Sequence, residues 1–201
     1  MYGGIDSAVI MEEVISKPFV RIAYPRVRGI NEKTADLINE LIEEKIKTMT
    51  IIGEWQESDI QELDISYQVT LNQKGLLSLR FESYLMIRNA AHPTTSVCSL
   101  TVDLNTGKVY ELYDFFRNMS GHAIRMTNYI LGEMKEKGIP LIFDLKLIPD
   151  NHVYYLTEDA LVIYFQEAEL APRVYGILEF PLSYAFLQNI MESDSPLRRL
   201  L

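Results

Sequence analysis

The chain has 201 residues, 48% of them apolar and 10% aromatic, enough to bury a sizeable core and too rich in large apolar side chains for a disordered tail. Its formal net charge of -9 works against nucleic acid and anionic membrane, because affinity for polyphosphate surfaces rests on clustered Lys and Arg. The single cysteine, Cys98, cannot close an internal disulfide.

Taken in chain order, Ala8 to Ile15 and Phe19 to Tyr24 are rich in β-formers and separated by Lys17-Pro18, which predicts two strands broken by proline. From Asn31 the period changes. Leu37, Ile38, Leu41, Ile42, Ile46 and Met49 recur at three- and four-residue steps, so an amphipathic helix follows with Asn31 as its cap. Ile65, Tyr67, Val69 and Leu71 then alternate with polar residues, as do Leu77, Leu79 and Phe81. With Asn72-Gln73-Lys74-Gly75 between them, the two runs predict an antiparallel hairpin. Cys98, Leu100, Val102 and Leu104 make a third strand, and Asn105-Thr106-Gly107 turns the chain into Lys108 to Leu112.

A second helix is expected around Ser120, with Ala123, Ile124, Ile130, Leu131 and Met134 on one stripe and Gly138 and Pro140 as its stop. Val153 to Leu156, Ala160 to Phe165 and Ile177 to Phe180 read as strands. The run Leu161-Val162-Ile163-Tyr164-Phe165 is apolar on both faces, which places it inside a sheet. A closing helix is expected from Pro181 to about Met191. The expected class is α+β: antiparallel meander sheets packed against two main helices. Residues 1–201 form one compact unit with two similar halves, about 5–90 and about 91–195, meeting near Ala90.

Chemistry is sparse. His92, His122 and His152 lie on different elements without the paired spacing that places two metal ligands on one helical face, so no metal and no cofactor is expected. His152 sits in the Pro149-Asp150-Asn151 turn and reads as solvated, and His122 as a surface or cap residue. There is no nucleophile elbow, Ser120-Gly121-His122 being too tight to join its own histidine to its own serine, and no phosphate-binding glycine loop. Cys98, among strand residues, reads as a buried structural thiol. Glu167 and Glu169 flank Ala168 after the doubly apolar strand and are the only paired carboxylates that invite a hydrolase reading, with His92 as their partner. His92 itself, before Pro93, reads first as a stiff extended lead into the next strand. Asn118-Met119-Ser120 fits the glycosylation pattern.

The words Ala91-His92-Pro93, Leu100-Thr101-Val102-Asp103-Leu104-Asn105-Thr106-Gly107-Lys108 and Leu112-Tyr113-Asp114-Phe115-Phe116 resemble a bacterial family catalogued as a domain of unknown function. So do Val153-Tyr154-Tyr155-Leu156, Thr157 to Phe165, Glu169-Leu170-Ala171-Pro172, Gly176 and Phe180-Pro181-Leu182. The N-terminal half, with Tyr24-Pro25 before a helix and a hairpin, is similar to the domain usually found ahead of it. That pair forms the extracellular part of anti-sigma-V-type receptors that bind lysozyme, and it precedes the catalytic domain of some peptidoglycan deacetylases. The chain departs from the pattern at Ala168, where many relatives place an aromatic residue, and it carries no sigma-binding segment or spanning helix.

The resemblance implies a non-enzymatic binding or sensing module whose partner is a lysozyme-like protein or a cell-wall glycan. The candidate binding residues are His92, Glu167, Glu169, Arg173 and Tyr175. Trp55, Tyr84, Tyr154 and Tyr175 are the aromatic candidates for stacking on a sugar. The competing readings are a hydrolase built on Glu167, Glu169 and His92, and a cytoplasmic scaffold or oligomerisation domain. If Met1 is the native start the chain is expected in the cytoplasm; as an excised fragment it would be extracytoplasmic.

Overall fold

The computed structural model describes residues 4–50, 57–116 and 121–201. Trp55 and the Asn118-Met119-Ser120 motif lie outside them. The chain divides into two compact units, Met1–Val109 and Tyr110–Leu201. The boundary falls after Val109 rather than near Ala90, because the strand after His92 pairs along its length with the strand before it.

The first unit holds β1 (Val9–Lys17), β2 (Val20–Arg28), α1 (Glu32–Met49), β3 (Ile60–Gln73), β4 (Leu76–Ile87) and β5 (Thr94–Asp103), with the strands in that order in one five-stranded sheet. All neighbours are antiparallel except β2 and β3. These run parallel over Val20–Ile22 and Leu63–Ile65, which the crossover through α1 requires. Ile38, Ile42 and Ile46 of α1 are buried with Ile65, Leu79, Phe81, Leu100 and Val102 of the sheet. Asn31 caps α1 as its sequence position predicts, its Oδ1 accepting from Thr34 N at 3.3 Å. Beyond Ile22, β2 loses β3 as a partner and Asn39 of α1 takes its place: the Asn39 side chain accepts from Val27 N at 2.8 Å and donates to Val27 O at 3.1 Å.

Two turns are fixed by backbone chemistry. Lys74 (φ 52°) and Gly75 (φ 76°) both take positive φ, as a two-residue hairpin matched to the strand twist demands. At the end of β5, Asp103 Oδ1 accepts from Asn105 N and Thr106 N at 3.0 Å each, and Gly107 N donates to Asp103 O at 2.8 Å. Gly107 has φ 74°, and a Cβ there would lie 2.7 Å from Leu37 Cδ2. Leu37 is 43% exposed and can swing aside, so the left-handed backbone decides the cost. Gly107→Ala is expected to lower unfolding free energy by about 1–2 kcal/mol, read by urea denaturation. A neutral substitution would mean that the turn relaxes.

The second unit opens with a single 3-10 turn, Leu112–Phe115. Val109 makes only an isolated bridge to Val102, and Asp114 Oδ2 accepts from Glu111 N at 2.9 Å, a local bond that competes with strand pairing. Then come α2 (His122–Glu136), β6 (Tyr154–Leu156), β7 (Ala160–Phe165), β8 (Leu178–Ser183) and the one-turn α3 (Tyr184–Leu187). Gly138 ends α2 as expected. With φ 65° it lets Ile139 N reach Met134 O at 2.9 Å and its own N reach Lys135 O at 3.2 Å.

β7 is the centre of an antiparallel three-stranded sheet, β6-β7-β8, and its six residues are all buried, which accounts for its doubly apolar sequence. The closing helix begins later than expected. Leu178, Phe180 and Leu182 continue a period of two through Pro181, which an edge strand tolerates, and Ser183 rather than Pro181 caps the helix by accepting from Phe186 N at 3.2 Å.

Candidate recognition surface at the β7–β8 connection

Four of the five candidate binding residues converge on the segment joining β7 to β8. At its start Gln166 N donates to Glu169 Oε2 at 2.6 Å and Glu169 N to Gln166 O at 3.1 Å, closing a turn in which Ala168 takes φ 58°. Leu170 and Ala171 are buried and anchor the middle. A 3-10 turn, Arg173–Tyr175, follows Pro172, with Tyr175 N bound to Pro172 O at 3.0 Å and Gly176 N to Arg173 O at 2.9 Å. Arg173 Nη2 meets Glu167 Oε2 at 2.7 Å, tying the first turn to the second. A segment cross-braced in this way presents its tip in one conformation, and the tip is apolar: Val174 is 87% exposed and Tyr175 41%.

A second segment lies beside it. Ile142 N donates to Leu170 O at 3.0 Å, which brings the stretch after α2 against the buried anchor of the connection. Ile142 (41%) and Phe143 (64%) are exposed there. Sequence reading missed both, and Val174 as well, because apolar residues in short connections carry no periodic signal. The available hint is composition: Leu141-Ile142-Phe143 follows Pro140, which forbids continuation of α2, so an apolar run stands outside any helix or strand.

His152, expected to be solvated, is half-buried under this segment. Its Nε2 lies 3.0 Å from Tyr164 O, and its ring packs on Phe165 with centroids 4.6 Å apart. Burial holds its pKa below the ordinary 6.5, while the bond to Tyr164 O and the charge of Glu169 pull it upward. With the folded pKa depressed, the unfolded chain binds the proton more readily, so stability is intact above the unfolded value and is lost as pH falls below it. The urea midpoint is expected to drop between about pH 7 and about pH 5.5, and His152→Gln to flatten that slope. An unchanged slope in the variant would remove His152 as the cause.

His122, also expected at the surface or as a cap, is buried instead. It stacks on Phe116 with centroids 5.5 Å apart and reaches Asp150 Oδ1 with Nε2 at 3.1 Å. His92, the fifth candidate, is exposed in the β4–β5 connection of the first unit, with Nδ1 3.3 Å from Pro93 O. Of the aromatic candidates, Tyr154 is only 5% exposed, bound through its hydroxyl to Tyr110 O at 2.7 Å, so no sugar can stack on it. Tyr84 (37%) and Tyr175 (41%) are exposed. Cys98 is half-buried, 3.2 Å from Met49 Sδ, and burial pushes its thiol up to about 11, in keeping with a structural role. Among the described residues no group of His, Cys, Asp and Glu is arranged to hold a metal, and no helix is long and apolar enough to cross a membrane.

The fold and the β7–β8 connection together define an α+β chain whose second unit presents a braced, apolar loop tip. Residues 113–185, most of that unit, match the family described as protein of unknown function (DUF3298). Two solved structures from that family share the fold across nearly the whole chain. The Bacteroides fragilis protein is 17% identical with a TM-score of 0.63, the match covering 98% of this chain and 97% of that one. The Pseudomonas aeruginosa protein is 14% identical with a TM-score of 0.63, covering 99% and 97% respectively. No curated protein matches the chain.

Proposed function

We propose that the chain is a non-catalytic binding module that recognises a protein through the β7–β8 connection. The observation that carries this reading is the pairing of exposed Val174 and Phe143 with a backbone held by local bonds, since a preorganised apolar anchor loses little entropy when a partner covers it. The two carboxylates that could have served a hydrolase are engaged in that bracing: Glu167 with Arg173, and Glu169 with Gln166 N.

The ligand class follows from charge and from the resemblance to lysozyme-binding receptor domains. A chain of net charge -9 gains encounter rate with a basic protein. A basic lysozyme is therefore the first ligand to try, and a muropeptide, for which Tyr175 would be the stacking residue, the second. Isothermal titration against both tests the reading. Saturable heat with the enzyme supports it, heat with the muropeptide alone would move the site to a glycan, and silence with both would leave it without a ligand.

A further inference from the structure

β1 is a sheet edge. β2 pairs with it along all nine residues, and among the described residues no strand or bridge lies on its other side. The direction of its free backbone groups follows from its neighbour. Phe19 O accepts from Leu63 N of β3, and Val27 N and O are held by Asn39, so odd-numbered residues of β2 face away from β1 and even-numbered ones face it. The pairs Lys17–Val20 and Val9–Arg28 then make the odd residues of β1 the ones bonded to β2. Ile10, Glu12, Val14 and Ser16 turn their N–H and C=O groups outward.

The chain leading into β1 does not cover that edge. Ile5 N is bound to Asn105, Asp6 O accepts from Gly75 N, and Ala8 N and O are held by Asn72, so the lead runs towards the β3–β4 turn. Glu12, Glu13 and Lys17 are the edge's charged protections, but Val9, Met11, Val14 and Ile15 are 41–57% exposed, and proline appears only after the last residue.

We infer that the outer edge of β1 pairs with β1 of a second copy of this chain, antiparallel about a two-fold axis at Ile15, joining two five-stranded sheets into one. Twofold symmetry allows only registers that set a residue opposite its own copy. Centres at Glu12 or Glu13 put glutamate against glutamate. The centre at Ile15 puts Glu13 opposite the partner's Lys17 on both sides, buries Ile15 against its copy, and pairs Val14 with Ser16 through their outward groups. It also brings Met11 beside the turn that carries the partner's Phe19, 62% exposed here.

The interface is small, so the dimer is expected to dissociate on dilution. Sedimentation of the full chain should show mass rising from one chain to two with concentration. Val14→Pro removes an outward N–H while sparing every bond to β2, and should hold the protein at one chain with its circular dichroism unchanged. Ile15→Cys, in a non-hydrogen-bonded pair whose Cα atoms approach to about 4.5 Å, should oxidise to an Ile15-position disulfide dimer identified by peptide mapping. A mass of one chain at every concentration overturns the inference. So does a dimer that persists in Val14→Pro, or an Ile15→Cys protein that stays uncrosslinked.

Discussion

Phe115→Ala is expected to lower the stability of the second unit by about 3–5 kcal/mol, the cost of emptying a fully buried aromatic site. Phe115 has no exposed surface and holds three rings together: Tyr110 at 5.6 Å, Tyr154 at 5.5 Å edge-on and Phe116 at 6.2 Å edge-on. Its position on a 3-10 turn locked by Asp114 leaves the backbone little freedom to collapse into the void. Urea unfolding followed by circular dichroism should show an earlier transition for the variant. Phe115→Leu, which keeps most of the volume, should lose roughly half as much or less. Equal losses in both variants would mean that ring geometry, not volume, holds this turn.

The second large effect is on binding. Val174→Asp and Phe143→Asp each place a charge where a partner must exclude water, and each is expected to weaken association with the protein ligand by about 2 kcal/mol or more, roughly thirtyfold. Stability should move by less than about 0.5 kcal/mol, because both side chains are exposed in the free protein. Calorimetric titration beside urea denaturation separates the two effects. Tyr175→Ala is the discriminating control. A loss there that exceeds the loss in Val174→Asp would favour a stacked sugar over a protein surface.

Much of this was legible before any coordinates. The period of α1, its Asn31 cap, the β3–β4 hairpin, the Gly138 stop and the doubly apolar β7 all follow from local rules. What local rules miss is competition from distant partners. Asn39 looks like a polar residue within an amphipathic helix, yet it is 7% exposed because β2 parts from β3 and leaves Val27 in need of a donor and an acceptor. His152 sits in a turn of polar residues, and its burial depends on Phe165 and Tyr164, a strand away in sequence.

The candidate site divides the same way. Glu167, Glu169, Arg173 and Tyr175 were identifiable as neighbours because they are close in sequence, but their roles were not. The two carboxylates that resemble a catalytic pair are held by Arg173 and by Gln166 N, contacts that their spacing did not announce. The exposed partner segment at Ile142 and Phe143 joins them through the bond from Ile142 N to Leu170 O, a long-range contact that no spacing rule contains.

The most direct test titrates the full chain with a basic lysozyme in a calorimeter, then recovers both proteins for mass analysis and incubates the chain separately with muropeptides. The expected result is saturable one-to-one heat whose affinity Val174→Asp lowers roughly thirtyfold or more, with enzyme and glycan recovered unaltered. Muropeptide cleavage by the wild type that disappears in Glu167→Gln would contradict a non-catalytic role outright.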